Sequence, residues 1–148
     1  MEEIKSVTSF KSAGEYFAFE TESIRHILEN VAPMRVPLSK PFIKGIINNH
    51  GNMIPVVDFR ILLGKEPDDS LAEQCIVVIG ISDAGKEEMV GFKVDEMDDV
   101  FEYSPDNFKT DIVVNVDPAV QRAISGTITL ADKFIYLVKT NELAKSLI

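Results

Sequence analysis

Two apolar, β-branched runs flank a polar turn in the middle of the chain. Phe42-Ile43-Lys44-Gly45-Ile46-Ile47 comes first, Asn48-Asn49-His50-Gly51-Asn52 interrupts, and Met53-Ile54-Pro55-Val56-Val57 follows. Runs of this length bounded by Asn and Gly predict a β-hairpin. Asp58 then stands where a helix N-cap belongs and Gly64 where a helix stops, so a short helix should close the unit. Short strands are also expected over 7–10, 16–20, 75–81, 89–94 and 98–103, and a second hairpin over 125–129 and 134–139. Ile24, Ile27 and Leu28 fall at i, i+3 and i+4, which predicts a short helix from Thr21 or Ser23 to about Glu29. Another helix should begin near Asn141. The polar stretch 65–73 reads as a surface loop, and so does 82–88. Residues 105–118 give no clear pattern beyond the apolar run Ile112-Val113-Val114. Many short strands with three small helical pieces predict a mainly β fold of small barrels rather than a parallel sheet.

The chain also repeats itself. A shift of 81 positions places Ile43, Gly45, Ile47, Ile54, Val57 and Leu62 on Ile124, Gly126, Ile128, Ile135, Val138 and Leu143. Val56 meets Leu137 and Met53 meets Phe134. A shift of 73 places Phe19, Glu22, Ile27, Leu28 and Glu29 on Phe92, Asp95, Val100, Phe101 and Glu102. Strand, turn, strand and helix recur, but the turn chemistry does not: Asn49-His50-Gly51 in the first copy becomes Ala131-Asp132-Lys133 in the second. Two related barrel-like subdomains are therefore expected within one domain over 1–148, about 15–70 and 74–148. The strand over 5–12 could pair with either.

Charge narrows the classes of partner. Acidic residues outnumber basic ones 24 to 15, a formal charge of -9 over 148 residues. That argues against non-specific nucleic-acid binding and against docking on anionic lipid. The first residues have neither the basic start nor the apolar core of a signal peptide. No apolar run approaches the roughly 18 residues of a membrane helix. Cys75 is the single cysteine, so no internal disulfide can form, and a reduced, cytoplasmic setting is expected.

Catalytic patterns are not found. The sequence contains no P-loop, dinucleotide fingerprint or nucleophile elbow. The two histidines, His26 and His50, are far apart and lack paired cysteines, so neither a metal site nor a cofactor is expected. Cys75 on an apolar strand reads as a small buried hydrophobe. Asp95-Glu96-Met97-Asp98-Asp99 lacks the spacing of a calcium loop and reads as a solvated turn. Asp58 reads as a helix cap or as an ion-pair partner of Arg60. The polar turn 48–52, held between two strands, is placed for recognition. Its Asn and Gly residues would equally serve a turn that needs positive φ.

The run from Phe42 to Asn48, with Gly51 and Ile54-Pro55-Val56-Val57-Asp58-Phe59-Arg60, resembles the signature of the CheW family of chemotaxis adaptors. Gly91-Phe92-Lys93-Val94-Asp95-Glu96-Met97 is similar to the family's second signature. The likeness extends through Ile124-Ser125-Gly126 and Lys133-Phe134-Ile135-Tyr136-Leu137-Val138, so it covers nearly the whole chain. It implies two interlocked five-stranded Src-homology-3-like barrels over a shared core. It also implies a non-enzymatic adaptor, monomeric in isolation, that couples the cytoplasmic tips of methyl-accepting chemoreceptors to the regulatory domain of the histidine kinase CheA. The alternatives are a CheW-like regulatory module of a larger signalling protein and a small-ligand-binding β-barrel. By resemblance the receptor-binding residues are Ile24, Gly45, Ile47, Asn49 and His50, while Gly51, Asp58 and Gly64 serve turn and cap. The chain departs from the family at the turn, where His50 replaces an arginine and Asn49 an apolar residue. A side chain at Gly45 is expected to close the receptor groove and leave the fold largely intact.

Overall fold

Among the described residues the apolar runs become strands with one face on the core. The computed structural model describes residues 5–37, 39–110, 116 and 118–147. In chain order the strands are β1 (Lys5–Ser12), β2 (Glu15–Glu20), β3 (Ile24–Glu29), β4 (Ile43–Asn49), β5 (Asn52–Asp58), β6 (Cys75–Asp83), β7 (Lys86–Val94), β8 (Glu96–Tyr103), β9 (Phe108–Lys109), β10 (Ile124–Leu130) and β11 (Lys133–Val138). The helices are α1 (Phe59–Leu62), α2 (Pro118–Ala123) and α3 (Thr140–Leu147). A six-stranded sheet runs β8-β1-β2-β11-β10-β9 and a five-stranded sheet runs β3-β6-β7-β5-β4. The fold is mainly β, in two open sheets over a shared core, with one strand more than expected in one of them.

The repeat is real in three dimensions, and the copies exchange strands. β4, β5 and α1 match β10, β11 and α3 at the shift of 81, and both hairpins bulge at the same place, Ile43/Gly45 and Ile124/Gly126. In the five-stranded sheet β5 runs parallel to β7, with Val56 opposite Gly91 and Val57 opposite Phe92. In the six-stranded sheet β11 runs parallel to β2, with Leu137 opposite Ala18 and Val138 opposite Phe19. These pairs are the same pairs under the two shifts. The hairpin β1–β2 therefore sits in the sheet of the second copy, and β6–β7 in the sheet of the first. The sheets consequently do not follow the division expected at 70–74. One is built from 24–94, the other from the segments on either side. The strand over 5–12 joins the six-stranded sheet, between β2 and β8.

Phe59, on the first turn of α1, stands between the sheets. Its ring lies 5.1 Å from Phe10 and 4.9 Å from Phe17 on one side, and 6.2 Å from Phe92 on the other. Edge-on aromatic packing of this kind adds to the stabilisation from apolar burial. Helices α2 and α3 close the same cluster with Val120, Ala123, Leu143, Ala144 and Leu147.

Three expectations fail locally. Residues 21–29 are not a helix but a 3-10 turn at Thr21–Ser23 followed by β3. Residues 82–88 are not a loop, because β6 and β7 continue to a two-residue turn at Ala84-Gly85, both at positive φ. Most of the acidic run is strand β8, not a turn. The run Ile112-Val113-Val114 lies outside the described residues.

Candidate functional site

The polar turn is a tight hairpin between β4 and β5. Asn49 pairs with Asn52, and His50 (φ 53°) and Gly51 (φ 87°) occupy the two left-handed positions that such a turn requires. The Asn48 side chain accepts the Gly51 N–H at 2.9 Å, fixing the loop from within. His50 is exposed, Asn49 half-buried, and both keep side chains available to a partner.

The other expected residues divide differently. Ile47 is only 4% exposed and packs with Ile54, Val56, Ile76 and Val78, so its side chain belongs to the core. Gly45 is buried at φ 152°, and a Cβ built there would lie 2.2 Å from the Met34 carbonyl oxygen. The space beside it is filled by the chain's own backbone: Met34 and Ile46 exchange N–H···O bonds of 2.8 Å across it. A side chain at Gly45 would displace this crossing, so the expectation of an intact fold is overturned. Ile24, half-buried, lies on β3, the opposite edge strand of the sheet from β4. The hairpin thus holds Gly45, Ile47, Asn49 and His50 together, and Ile24 stands apart in the strand order.

Register reveals residues that the sequence reading missed. Residues directly opposite in a sheet share a face, as do residues two apart along a strand. Met34 and Pro55 are both opposite Ile46, and Met53 is opposite Asn48. All five therefore lie on the outer face of β4–β5, beside the turn. Met34 is 71% and Met53 60% exposed. Exposed methionines on a rigid strand make an adaptable apolar surface. The alternation of Ile46 and Asn48 against Ile47 was the available signal, but the crossing at Met34 depends on a contact that no local pattern encodes.

At the other end of the hairpin, Asp58 caps α1 by accepting the Arg60 N–H at 2.9 Å. Arg60 does not pair with Asp58. Its guanidinium donates to Asp95 at 2.5 Å, and Asp95 also accepts the Ala13 N–H at 2.9 Å. Gly64 ends the helix at φ 75°. Asp58 is 1% exposed, and its second oxygen has no hydrogen-bond partner but lies 3.8 Å from the Lys44 amine. Lys44 occupies the bulge of β4, and Lys93 of β7 stands opposite Asp58. Both amines converge on Asp69, in the loop after α1. Lys93, donating a hydrogen bond, holds the Asp69 carboxyl below its ordinary range. Burial raises the Cys75 thiol to about 11, so it stays protonated near neutrality and serves as apolar wall. Among the described residues no cluster of three or more His, Cys, Asp or Glu is placed to hold a metal, and no helix is long and apolar enough to cross a membrane.

Known proteins share these features. The chain is 33% identical over 91 residues to "Chemotaxis protein CheW" of Thermotoga maritima, a match spanning 62% of this chain and 57% of that protein. It is 29% identical over 120 residues to "Chemotaxis protein CheW" of Bacillus subtilis, spanning 76% and 74%. The fold matches the crystal structure of scaffolding protein TtCheW from Thermoanaerobacter tengcongensis, with a TM-score of 0.81 at 24% identity over 95% of this chain and 92% of that one. The family described as CheW-like domain matches residues 6–147, and the chain belongs to that family.

Proposed function

We propose that this chain is a non-enzymatic adaptor of bacterial chemotaxis, acting in the cytoplasm to couple chemoreceptor tips to the regulatory domain of the histidine kinase CheA. The observation that carries the reading is the CheW-like match across 6–147, on a fold whose exposed turn and strand faces are held by rigid hairpins. An adaptor needs surfaces at fixed separation rather than reactive groups. The strand exchange supplies this, because the chain crosses repeatedly between two sheets that pack on one aromatic cluster of Phe10, Phe17, Phe59 and Phe92.

The receptor-facing surface is the outer face of β4–β5 and its turn: Met34 and Met53 as apolar contacts, Asn49 and His50 as polar ones. Ile24, on the far edge strand β3 and packed against the core, stands apart from this surface. Gly45 and Ile47 act from beneath, Gly45 by admitting the Met34 crossing and Ile47 by anchoring β4 in the core. Histidine at position 50 lacks the permanent, bidentate charge of arginine, so a receptor read by this turn should present a hydrogen-bonding group rather than a carboxylate.

The test is titration calorimetry of the purified chain with a chemoreceptor tip fragment and, separately, with the CheA regulatory domain. Both should bind. Met53→Glu should weaken receptor binding about tenfold, as a central apolar contact would, with kinase binding and thermal melting unchanged. Failure to bind either partner would overturn the adaptor reading. Binding of both with no effect of Met53→Glu would move the receptor surface elsewhere.

A further inference from the structure

A cleft of about 780 Å³ opens between the crossing segment 30–35 and the loop 67–74. Its walls include Leu28, Ile43, Ile61, Leu71 and Ile76, and its floor carries the amines of Lys44 and Lys93. The volume is that of an ordinary small-molecule site. Its charge is opposite to that of the chain: Arg35, Lys44 and Lys93 line it against Asp69 alone, in a protein of net charge -9. Lys44 and Lys93 are only 23% and 14% exposed, and the carboxylate that bridges them belongs to a side chain 70% exposed.

The internal repeat separates what the fold requires from what it does not. The positions matching Ile43 and Gly45 are again Ile and Gly. Those matching Lys44, Asp58 and Lys93 are Ser125, Lys139 and Glu20. The six-stranded sheet forms the same bulge and the same parallel pair without this charge cluster. The two lysines and the buried Asp58 beneath them are therefore additions to one sheet. The free oxygen of Asp58 faces the Lys44 amine at 3.8 Å.

We propose that this cleft is a binding site for a small organic acid, its carboxylate seated between Lys44 and Lys93 in place of Asp69 and its apolar body against Leu28, Ile61 and Leu71. Asp69 already demonstrates the geometry, one carboxylate bridging two amines. The two amines are already matched to one carboxylate, that of Asp69, so a carboxylate is the head group this pair is spaced to take. Asp69 is a weak competitor, because an exposed ion pair contributes little, whereas a ligand also buries apolar surface. The inference is independent of the adaptor reading. The sequence could not show the site, since its charged groups lie on three strands and a loop.

The probe is phenylacetate, titrated into the isotopically labelled chain and followed by amide chemical shifts. Shifts should concentrate in 28–35, 41–44, 67–76 and 93. Acetate, which has the head without the body, and phenylacetamide, which has the body without the charge, should each bind about tenfold more weakly. Lys93→Gln should also reduce phenylacetate affinity about tenfold. Asp69→Asn, on the exposed loop, should tighten binding at least threefold, because it removes the internal competitor. If Lys93→Gln does not fold, the Asp69→Asn result still decides. Unchanged or weaker binding by Asp69→Asn, equal binding of acetate, or shifts scattered over the surface would overturn the proposal.

Discussion

Gly45 carries more of the fold than its lack of a side chain suggests. Its φ of 152° is a region that only glycine occupies readily, and its missing Cβ is what admits the Met34 carbonyl. Gly45→Ala should therefore cost about 3 kcal/mol in urea unfolding, from backbone strain and displaced packing together. Gly126, its counterpart, has a Cβ position 2.4 Å from the Lys109 carbonyl but no positive φ. Gly126→Ala should meet the steric part alone and cost less. Equal losses would assign the whole effect to contact. A loss at Gly45 below about 1 kcal/mol would show that the crossing segment moves aside easily. The repeated glycine was legible in the sequence, but its reason was not. The sequence showed two hairpins with glycine at one position, and only the structure shows what lies over each.

At the scale of elements, legibility followed hydrophobic pattern and failed where one pattern fits two structures. The core hairpins were plain because β-branched runs were bounded by turn residues, and Asp58 and Gly64 mark α1 as expected. β3 was misread because Ile24, Ile27 and Leu28 match a helix face. In the strand a bulge between Ile24 and His26 turns Ile24 toward Ile79 and Leu28 toward Ile76, on opposite faces of the sheet. As an edge strand it leaves the rest of its residues to solvent, so no alternation reveals it. α2 is a helix of only six residues with Pro118 at its start, where proline is well placed, and so short a piece gives no periodic pattern. The candidate site divides the same way. The turn was visible, but its neighbours Met34 and Met53 were not, and the pairing of Arg60 with Asp95 links residues that no spacing rule joins. That pair ties α1 to β7–β8 and to the β1–β2 turn, with Arg60 also donating to the Glu66 carbonyl at 2.9 Å. Both side chains are partly shielded, at 21% and 14% exposure. A double-mutant cycle with Arg60→Ala and Asp95→Asn should give a coupling of about 1–2 kcal/mol, between the values for exposed and fully buried pairs. Coupling below about 0.5 kcal/mol would make the contact incidental.

The whole molecule is shaped by the exchange of hairpins between the two copies of its repeat. If the copies were separate barrels, each sheet would hold one copy's strands and could open alone. Instead each sheet takes two strands from the other copy, and Phe10, Phe17, Phe59 and Phe92 pack across the space between them. The sheets share no strand, but opening either one exposes the shared cluster, so the two should unfold together. The chain carries native reporters for each sheet. Its three tyrosines, Tyr16, Tyr103 and Tyr136, all lie on strands of the six-stranded sheet, and it has no tryptophan to obscure them. Its single cysteine, Cys75, is buried on β6 of the five-stranded sheet, where the raised thiol pKa and the lack of access both suppress alkylation. Across a urea series, tyrosine emission and pulsed alkylation of Cys75 should report one midpoint. Cys75 becoming reactive while tyrosine emission is still native would mean that the five-stranded sheet opens alone, and the exchange would then not couple the sheets. Coincident transitions would make the rigidity that an adaptor needs a direct consequence of this topology.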